Sequence, residues 1–227
     1  GAGTVFAIYT YHSDAAHGAE SIALATSQDG LTFAPYPGNP ILPNPGVDDF
    51  RDPKVVWDAR RSQWVMVLAV GDHVAFYTSA NLLRWQVVGQ FYDREASPGV
   101  WECPDLFPMQ TQEGVRWVLI VSHNPGRKEG GSKTTYYVGD FDGQHFVAEQ
   151  PWKLLDIGPD CYAGVTFANE PSGRRILIAW MNNWVYANEV PTGPFRGAMT
   201  LPRRLTLRRG NAGWVLVQQP MQTVNAL

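Results

Sequence analysis

Two short stretches of the sequence join a carboxylate to a nearby proline and could carry out acid–base chemistry. They are Arg51-Asp52-Pro53 and Trp101-Glu102-Cys103-Pro104-Asp105. An arginine beside Asp52 favours the charged carboxylate, whereas the apolar neighbours of Glu102 favour a protonated carboxyl group. One charged and one protonated carboxyl group are what cleavage of a glycosidic bond requires. Each stretch taken alone is more often structural, so the prediction of a catalytic pair depends on both.

The elements that must position these acids are short β-strands. The 22 glycines and 17 prolines are spread through the chain. They separate apolar runs rich in β-branched and aromatic residues, such as Trp64-Val65-Met66-Val67-Leu68 and Trp117-Val118-Leu119-Ile120-Val121. Runs of this length and composition, bounded by turn residues, are typical of strands. The sequence therefore predicts an all-β fold of the sandwich, barrel or propeller class.

Two series of recurring motifs favour the propeller. Acids are predicted to start successive strands at Asp52, Glu102 and Asp160, which are 50 and 58 residues apart. In the second series an aromatic residue follows a polar turn, at Phe33, Trp85 and Phe146. Both spacings approach the ~40–50 residues of a four-stranded propeller blade. In a propeller the first strands of the blades line the axis, so these acids would converge on one pocket. Ordinary turn chemistry in a β-sandwich is the alternative that spacing alone leaves open.

Composition and charge exclude several classes of function. Charged residues make up 17% of the chain and aromatic residues 12%, a balance that excludes intrinsic disorder. The net charge is −3 and no concentrated basic surface is encoded, which argues against a nucleic-acid partner. No apolar stretch approaches the ~20 residues that cross a bilayer, so no membrane association is expected. The cysteines, Cys103 and Cys161, are expected to be buried free thiols. The histidines show no metal-ligand spacing, and neither metal nor cofactor is expected.

Several uncommon motifs occur in one order along the chain and together resemble glycoside hydrolase family 32, the family of invertases, inulinases and levanases. The two acid stretches, extended to residues 50–55 and 101–107, resemble the second and third signatures of that family. Further similar motifs lie, in order, at residues 122–126, 136–143, 158–163, 180–184, 202–205 and 218–220. The Asn124-Pro125-Gly126 loop followed by Gly130-Gly131-Ser132 is most similar to the exo-inulinases and levanases.

The resemblance implies a five-bladed β-propeller with a funnel-shaped site on its axis. The chain is expected to cover about blades two to five, with Gly1 entering the family pattern inside the second blade. Residues 1–220 would form a propeller catalytic domain that lacks its first blade. Residues 221–227 would start a linker toward a C-terminal β-sandwich. The implied activity is retaining hydrolysis of a β-fructofuranoside (sucrose, inulin or levan) without a metal or cofactor. A secreted or periplasmic location is implied, with a cytoplasmic one as the alternative.

The resemblance also implies roles for individual residues. Glu102 would be the general acid/base, and Asp52 would bind fructosyl hydroxyls and stabilise the oxocarbenium-like transition state. Trp101 and Trp180 are expected at the mouth, where an indole ring can stack on a sugar, with Trp180 as a wall of the fructose pocket. Asp160 is expected to hold its loop or a substrate hydroxyl. The substrate-binding residues implied are Arg51, Trp180, Cys103 and Asp160.

The nucleophile of the family is an aspartate in a Trp-Met-Asn-Asp-Pro motif on the first blade, and this chain does not contain that motif. Trp180-Met181-Asn182-Asn183-Trp184 has Asn183 where the carboxylate would be, and an amide cannot form the glycosyl ester. The chain is therefore expected to be a fragment or to receive its first blade from elsewhere. A fructosyltransferase and a non-catalytic carbohydrate-binding propeller are the alternatives, and an aspartate in an upstream motif would favour an enzyme.

Overall fold

The computed structural model describes residues 3–14, 20–96, 99–126 and 131–221 of the chain. All regular secondary structure in these ranges is β, as the sequence predicts. Nowhere in these ranges is there a helix long and apolar enough to cross a membrane. Gly1, Gly130 and residues 222–227, on which parts of the sequence predictions depend, lie outside the described residues.

The described residues form two compact units. The first reaches Tyr92 and includes the turn Asp142–His145, and it contains two antiparallel sheets. One sheet has the order β1-β2-β3, with β1 Val5–His12, β2 Glu20–Ser27 and β3 Ala34–Pro35. The other has the order β4-β5-β6-β7, with β4 Phe50–Asp58, β5 Gln63–Val70, β6 His73–Ser79 and β7 Gln86–Phe91.

The second unit starts at Asp93 and also contains two antiparallel sheets. One comprises β8 Val100–Thr111, β9 Gly114–Asn124, β10 Lys133–Phe141 and β11 Phe146–Ala148, with β12 Lys153–Leu154 also pairing with β10. The other comprises β13 Tyr162–Phe167, β14 Arg175–Trp180, β15 Arg203–Gly210 and β16 Gly213–Pro220. Apart from β12, hydrogen-bonded neighbours follow one another in sequence, so the sheets are simple meanders.

Each unit has its own hydrophobic core. In the first unit, buried side chains of β2, β5 and β6 pack together, including Leu24, Met66 and Leu68. In the second unit, side chains of β9, β14 and β15 form the corresponding cluster, including Ile120 and Leu177. The middle strand β5 is buried at every position from Val65 to Val70, since a central strand is covered on both faces of its sheet.

The polar turns that recur in the sequence are one repeated structural element. The side chains of Asp29, Asn81 and Asp142 each accept hydrogen bonds from the backbone N–H groups two and three residues later, at 2.7–3.0 Å. The N–H groups of Thr32 and Leu31 hold the pKa of Asp29 well below its usual range. These turns join β2 to β3, β6 to β7 and β10 to β11. The repeat predicted from sequence is thus confirmed at the level of local structure.

These turns also identify which strands correspond between sheets. Because β2, β6 and β10 precede the same turn, β1 corresponds to the second strands β5 and β9. A side-chain contact agrees with this match: Thr10 on β1 accepts the N–H of Asp52 at 2.9 Å, as Ser122 on β9 accepts the N–H of Ala163 at 3.0 Å. Among the described residues, the first sheet therefore has no counterpart of the edge strands β4 and β8.

Candidate functional site

A β-bulge lies near the start of each of the three edge strands β4, β8 and β13. Two residues of the edge strand oppose one residue of its partner, between Arg51 and Lys54, between Glu102 and Asp105, and between Tyr162 and Val165. The residues in the bulges are Asp52, Cys103 and Ala163, with φ of 61°, 47° and 52°. A residue other than glycine in this left-handed region costs about 1–3 kcal/mol, and such strain gathers at functional sites. Bulges also re-aim side chains beside active sites.

The bulges define the structural repeat, and it is offset from the spacing of the acids. Asp52 corresponds to Cys103, and Glu102 corresponds to Arg51 and to Tyr162. Asp160 lies two residues before Tyr162 and precedes β13 rather than starting it. The expectation that the three acids occupy equivalent positions is therefore wrong. Asp52 occupies the left-handed position of its bulge, Glu102 lies one residue before its bulge, and Asp160 lies before its strand begins, so their similar spacing in sequence does not give equivalent places.

Glu102 is half-buried near the start of β8, and its carboxylate accepts a hydrogen bond from the hydroxyl of Tyr162. Tyr162 is buried and is the first residue of β13, so this bond joins two adjacent sheets of the second unit. Sequence reasoning did not identify Tyr162. Its place in the Asp160-Cys161-Tyr162-Ala163 stretch was the available signal, because that stretch belongs to the resembling motifs.

Trp101 is not at a mouth. Its side chain is fully buried, packed edge-on against His123 with ring centroids 5.0 Å apart and stacked over Tyr137 at 6.3 Å. The expectation that Trp101 could stack on a sugar is therefore wrong. Successive side chains of a strand point to opposite faces, so the indole next to half-buried Glu102 points into the protein and supports the strand from within.

Hydroxyl side chains hold the start of β13 against β9 and β10. Ser122 accepts the N–H of Ala163 at 3.0 Å and lies 3.1 Å from the hydroxyl of Thr134. Thr134 in turn donates to the backbone carbonyl of Cys161 at 2.9 Å. The backbone is thus held on both sides of Tyr162, which positions its hydroxyl toward Glu102.

Asp105, the second acid of the Trp101–Asp105 motif, is fully buried. Its carboxylate accepts the backbone N–H and the hydroxyl of Thr166 at 2.6 and 2.8 Å. Arg175 donates to the same hydroxyl at 3.2 Å. A buried carboxylate needs such partners, and here they join β8 to β13. Asp105 therefore supports the site without reaching the surface.

Trp180 lies in a row of aromatic rings that starts at Tyr162. The two residues are paired across β13 and β14, with ring centroids 6.4 Å apart. Trp184 follows, its ring 5.0 Å from that of Trp180 at an angle of 58°. The backbone at Gly197 closes over the edge of Trp180, because a Cβ there would lie 2.9 Å from the indole nitrogen. Contacts between side chains thus connect Glu102 to Tyr162, Tyr162 to Trp180 and Trp180 to Trp184.

Asn183 is a buried structural amide. Its Nδ2 donates to the carbonyls of Ser132 and Pro159 at 3.1 and 2.9 Å, and its Oδ1 accepts the N–H of Ser132 at 3.2 Å. A carboxylate could not donate these two hydrogen bonds. Asn183 therefore connects its own loop to the loops before β10 and β13, which explains an amide at this position.

Asp160, on the loop before β13, accepts a hydrogen bond from the hydroxyl of Tyr186.

Asp52 and Arg51 lie in the first unit. Arg51 donates to Asp49 at 2.6 Å and to Glu20 at 3.1 Å, and Glu20 also accepts the N–H of Phe50 at 2.8 Å. Sequence reasoning missed both of these carboxylates. Arg51 is thus oriented by two acids, Asp49 and Glu20. That Asp52 and Glu102 face one pocket stays a prediction.

The two cysteines differ in burial. Cys161 is buried, and burial raises the pKa of its thiol to about 11. Cys103, the bulge residue after Glu102, is only half-buried, contrary to expectation. Within the described part of the chain, no group of three His, Cys, Asp or Glu side chains is arranged to hold a metal ion.

Because His123 is buried, we expect the free energy of unfolding to fall in acid. Burial, followed by the charge of Lys133, lowers its pKa from 6.5 to about 3. Between these values the unfolded chain binds a proton that the folded chain does not, so stability falls as pH falls below 6.5. The loss from this group should reach about 2 kcal/mol at pH 5. Urea unfolding at pH 7.5 and pH 5 measures it.

The matched variants separate His123 from the other titrating groups. His123→Gln should lessen the fall in the free energy of unfolding between the two pH values by about 2 kcal/mol. His145→Gln changes an exposed ring, so the free energy of unfolding should fall between the two pH values as much as it does in the unaltered chain. An unchanged pH dependence in His123→Gln would contradict the prediction.

Comparison with known families supports a single assignment. Residues 1–220 match the model of the glycosyl hydrolases family 32 N-terminal domain. A levanase of Bacillus subtilis (strain 168) is 45% identical over 97% of this chain and 34% of that protein. An extracellular exo-inulinase of Aspergillus niger is 38% identical over 92% of this chain and 42% of that protein. The chain thus spans between about a third and two-fifths of the length of these two relatives.

Solved structures agree with the sequence matches. An exo-inulinase from Aspergillus awamori superposes with a TM-score of 0.90 at 33% identity, over 98% of this chain and 49% of that one. A beta-fructofuranosidase from Schwanniomyces occidentalis complexed with fructosyl-erythritol gives 0.86 at 34% identity, over 96% of this chain and 44% of that one. With the four described antiparallel sheets, these likenesses confirm the all-β, β-propeller fold class. The count of five blades stays a prediction.

Proposed function

The chain belongs to glycosyl hydrolase family 32, and we propose that it forms part of an enzyme that releases fructose from sucrose or from β-fructans such as levan and inulin. The single observation that carries this proposal is Glu102, a half-buried carboxylate beside a strained bulge, held by the hydroxyl of a buried tyrosine. A carboxyl group held in this way can be aimed at a glycosidic oxygen.

In the proposed reaction Glu102 works first as acid and then as base. It protonates the departing glycosidic oxygen, and it later removes a proton from the water that releases the sugar. Tyr162 donates to Oε2 and so fixes the orientation of the carboxyl group. None of these residues is proposed as the nucleophile, and we propose that another part of the enzyme supplies that carboxylate.

The remaining candidate residues are proposed to bind the fructosyl group. Asp52 accepts hydrogen bonds from its hydroxyls and stabilises the positive charge that develops in the transition state. Arg51, fixed by two other acids, donates to the same group. Trp180 forms an aromatic wall, and Asp160, oriented by Tyr186, receives a further hydroxyl. Cys103 adjusts the surroundings of Glu102 from the bulge.

The relatives include an extracellular exo-inulinase, and we propose that this enzyme also works outside the cytoplasm, where polymeric fructans are found. Hydrolysis is favoured over transfer to a sugar acceptor because the relatives reported above are levanases, inulinases and fructofuranosidases.

The function is tested with the protein that contains this domain. Release of fructose from sucrose, inulin and levan is measured, and NMR spectroscopy follows which anomer forms first. Fructose released first as the β-anomer supports a retaining fructosidase. Cleavage of arabinan or xylan without release of fructose would overturn the proposal.

A further inference from the structure

We propose that an arginine-lined cavity in the second unit binds a phosphate group, either as the free ion or as the monoester of a larger molecule. The cavity lies between the end of β8, the turn that joins β13 to β14, and the strand β15. None of the residues that line it belongs to the candidate site around Glu102. The inference is therefore independent of the proposed function.

The cavity is remote from the candidate site along the strands that form both. Glu102 lies near the start of β8, and Tyr162 is the first residue of β13. The cavity lies beside Met109, near the other end of β8, and beside the turn that follows β13. At ~3.3 Å per residue, Met109 is roughly 20 Å from Glu102 along β8. A ligand in the cavity would therefore not compete with a sugar at Glu102.

The lining of the cavity is rich in positive charge. Its volume is about 410 Å³, within the range of ~300–1,000 Å³ that is usual for ligand pockets. Its charged lining residues are three arginines, Arg174, Arg175 and Arg204, and one acid, Glu170. The whole chain has a net charge of −3, so the excess of arginine here runs against its composition. A cavity lined mainly by one sign of charge attracts ligands of the other sign.

The carboxylate of Glu170 is already occupied by donors from its own turn. Its Oε1 accepts hydrogen bonds from the guanidinium of Arg174 at 2.5 Å and from the hydroxyl of Ser172 at 3.0 Å. Its Oε2 accepts the backbone N–H groups of Ser172 and Arg174 at 2.9 and 3.1 Å. The bond from the Arg174 side chain, with these other donors, lowers the pKa of Glu170 to about 2. Glu170 therefore stays charged and holds Arg174 in place.

The other two arginines differ in how their charges are compensated. Arg175 donates to the hydroxyl of Thr166 at 3.2 Å, and its guanidinium lies 4.6 Å from the centre of the Phe107 ring. The buried carboxylate of Asp105 lies on the same hydroxyl and opposes the charge of Arg175. Arg204 is exposed on β15, and no carboxylate in the described part of the chain forms an ion pair with it. The uncompensated charge of the cavity is thus that of Arg204.

The guanidinium groups indicate the class of anion. A guanidinium can donate two parallel hydrogen bonds to a carboxylate or to a phosphate. A carboxylate has two oxygens, which one guanidinium can occupy, whereas a phosphate group offers at least three oxygens and carries up to two charges. Three arginines that line one cavity therefore suit a phosphate better than a carboxylate. Because Arg174 and Arg175 are already held by the protein, less side-chain freedom is lost when the anion binds.

The experiment is a phosphorus NMR titration of the 227-residue chain at constant ionic strength set with sodium chloride. The ligands are inorganic phosphate and methyl phosphate, and acetate is the competitor. The variants are Arg204→Gln and Arg204→Lys. Arg208→Gln is the matched control, because Arg208 is an exposed arginine of the same strand that does not line the cavity.

We expect Arg204→Gln to weaken phosphate binding about tenfold or more, the loss expected for a hydrogen bond between charged groups. Arg204→Lys should recover part of the affinity, since lysine keeps the charge but lacks the planar fork of donors. Arg208→Gln should stay within about twofold of the unaltered chain, because salt screens an exposed charge outside the cavity. Tighter binding of methyl phosphate than of inorganic phosphate identifies an ester as the ligand, and the reverse order identifies the free ion.

Three results would overturn the inference. The first is equal phosphate affinity in Arg204→Gln and the unaltered chain, and the second is an equal loss in Arg204→Gln and Arg208→Gln, which would indicate diffuse attraction by charge. The third is displacement of phosphate by an equal concentration of acetate, which would mean that the class of anion is wrong. None of these results concerns Glu102, so the proposed function would stand in each case.

Discussion

Replacing Glu102 with glutamine is expected to slow sucrose hydrolysis about 10²–10⁴-fold in the enzyme that contains this domain, the usual contribution of a general acid–base group. The amide keeps the shape of the carboxyl group, and its carbonyl oxygen can still accept the hydroxyl of Tyr162. What it lacks is a transferable proton. The loss should therefore appear in kcat, with fructose binding retained.

The assignment is checked by comparing substrates. A fructoside with a very good leaving group needs little protonation, so its first step should be close to normal in Glu102→Gln. Glu113→Gln, at an exposed turn between β8 and β9, is the matched control and should turn over sucrose normally. If Glu102→Gln hydrolysed sucrose within a few-fold of the unaltered enzyme, the roles of both carboxylates would be wrong.

Trp101→Ala is expected to lower the free energy of unfolding by about 3–5 kcal/mol, the range for removing a large buried aromatic side chain. The indole is fully buried between His123 and Tyr137, so truncation leaves a cavity that these rings cannot close without moving. Because Trp101 directly precedes Glu102, the same change should also disturb the acid.

Urea unfolding of the whole chain, followed by circular dichroism, measures this loss. Trp184→Ala is the control in the same unit, since its half-exposed ring should cost less than about 1 kcal/mol. A loss of similar size in the two variants would mean that Trp101 is not the support of β8 that its burial indicates.

Much of the local structure could be predicted because its causes are local. The strands follow from apolar runs between glycines and prolines, and the repeated turns follow from Asp29, Asn81 and Asp142 binding the backbone that comes next in sequence. The family motifs pointed to Glu102 and Trp180 as candidate site residues, and in the structure the ring of Trp180 lies beside that of Tyr162, the partner of Glu102.

The all-β class, the repeat and the family could be predicted from the amino-acid sequence, because each is encoded in short runs of adjacent residues. The register of the edge strands, the burial of Trp101 and the partners of Glu102 and Asn183 depend on the folded chain. Glu102 and Tyr162 are 60 residues apart, and Asn183 and Ser132 are 51 apart. Contacts between residues so far apart in sequence depend on how the sheets pack and on where each bulge lies. Neither the packing nor the place of a bulge can be read from the spacing of acids along a chain.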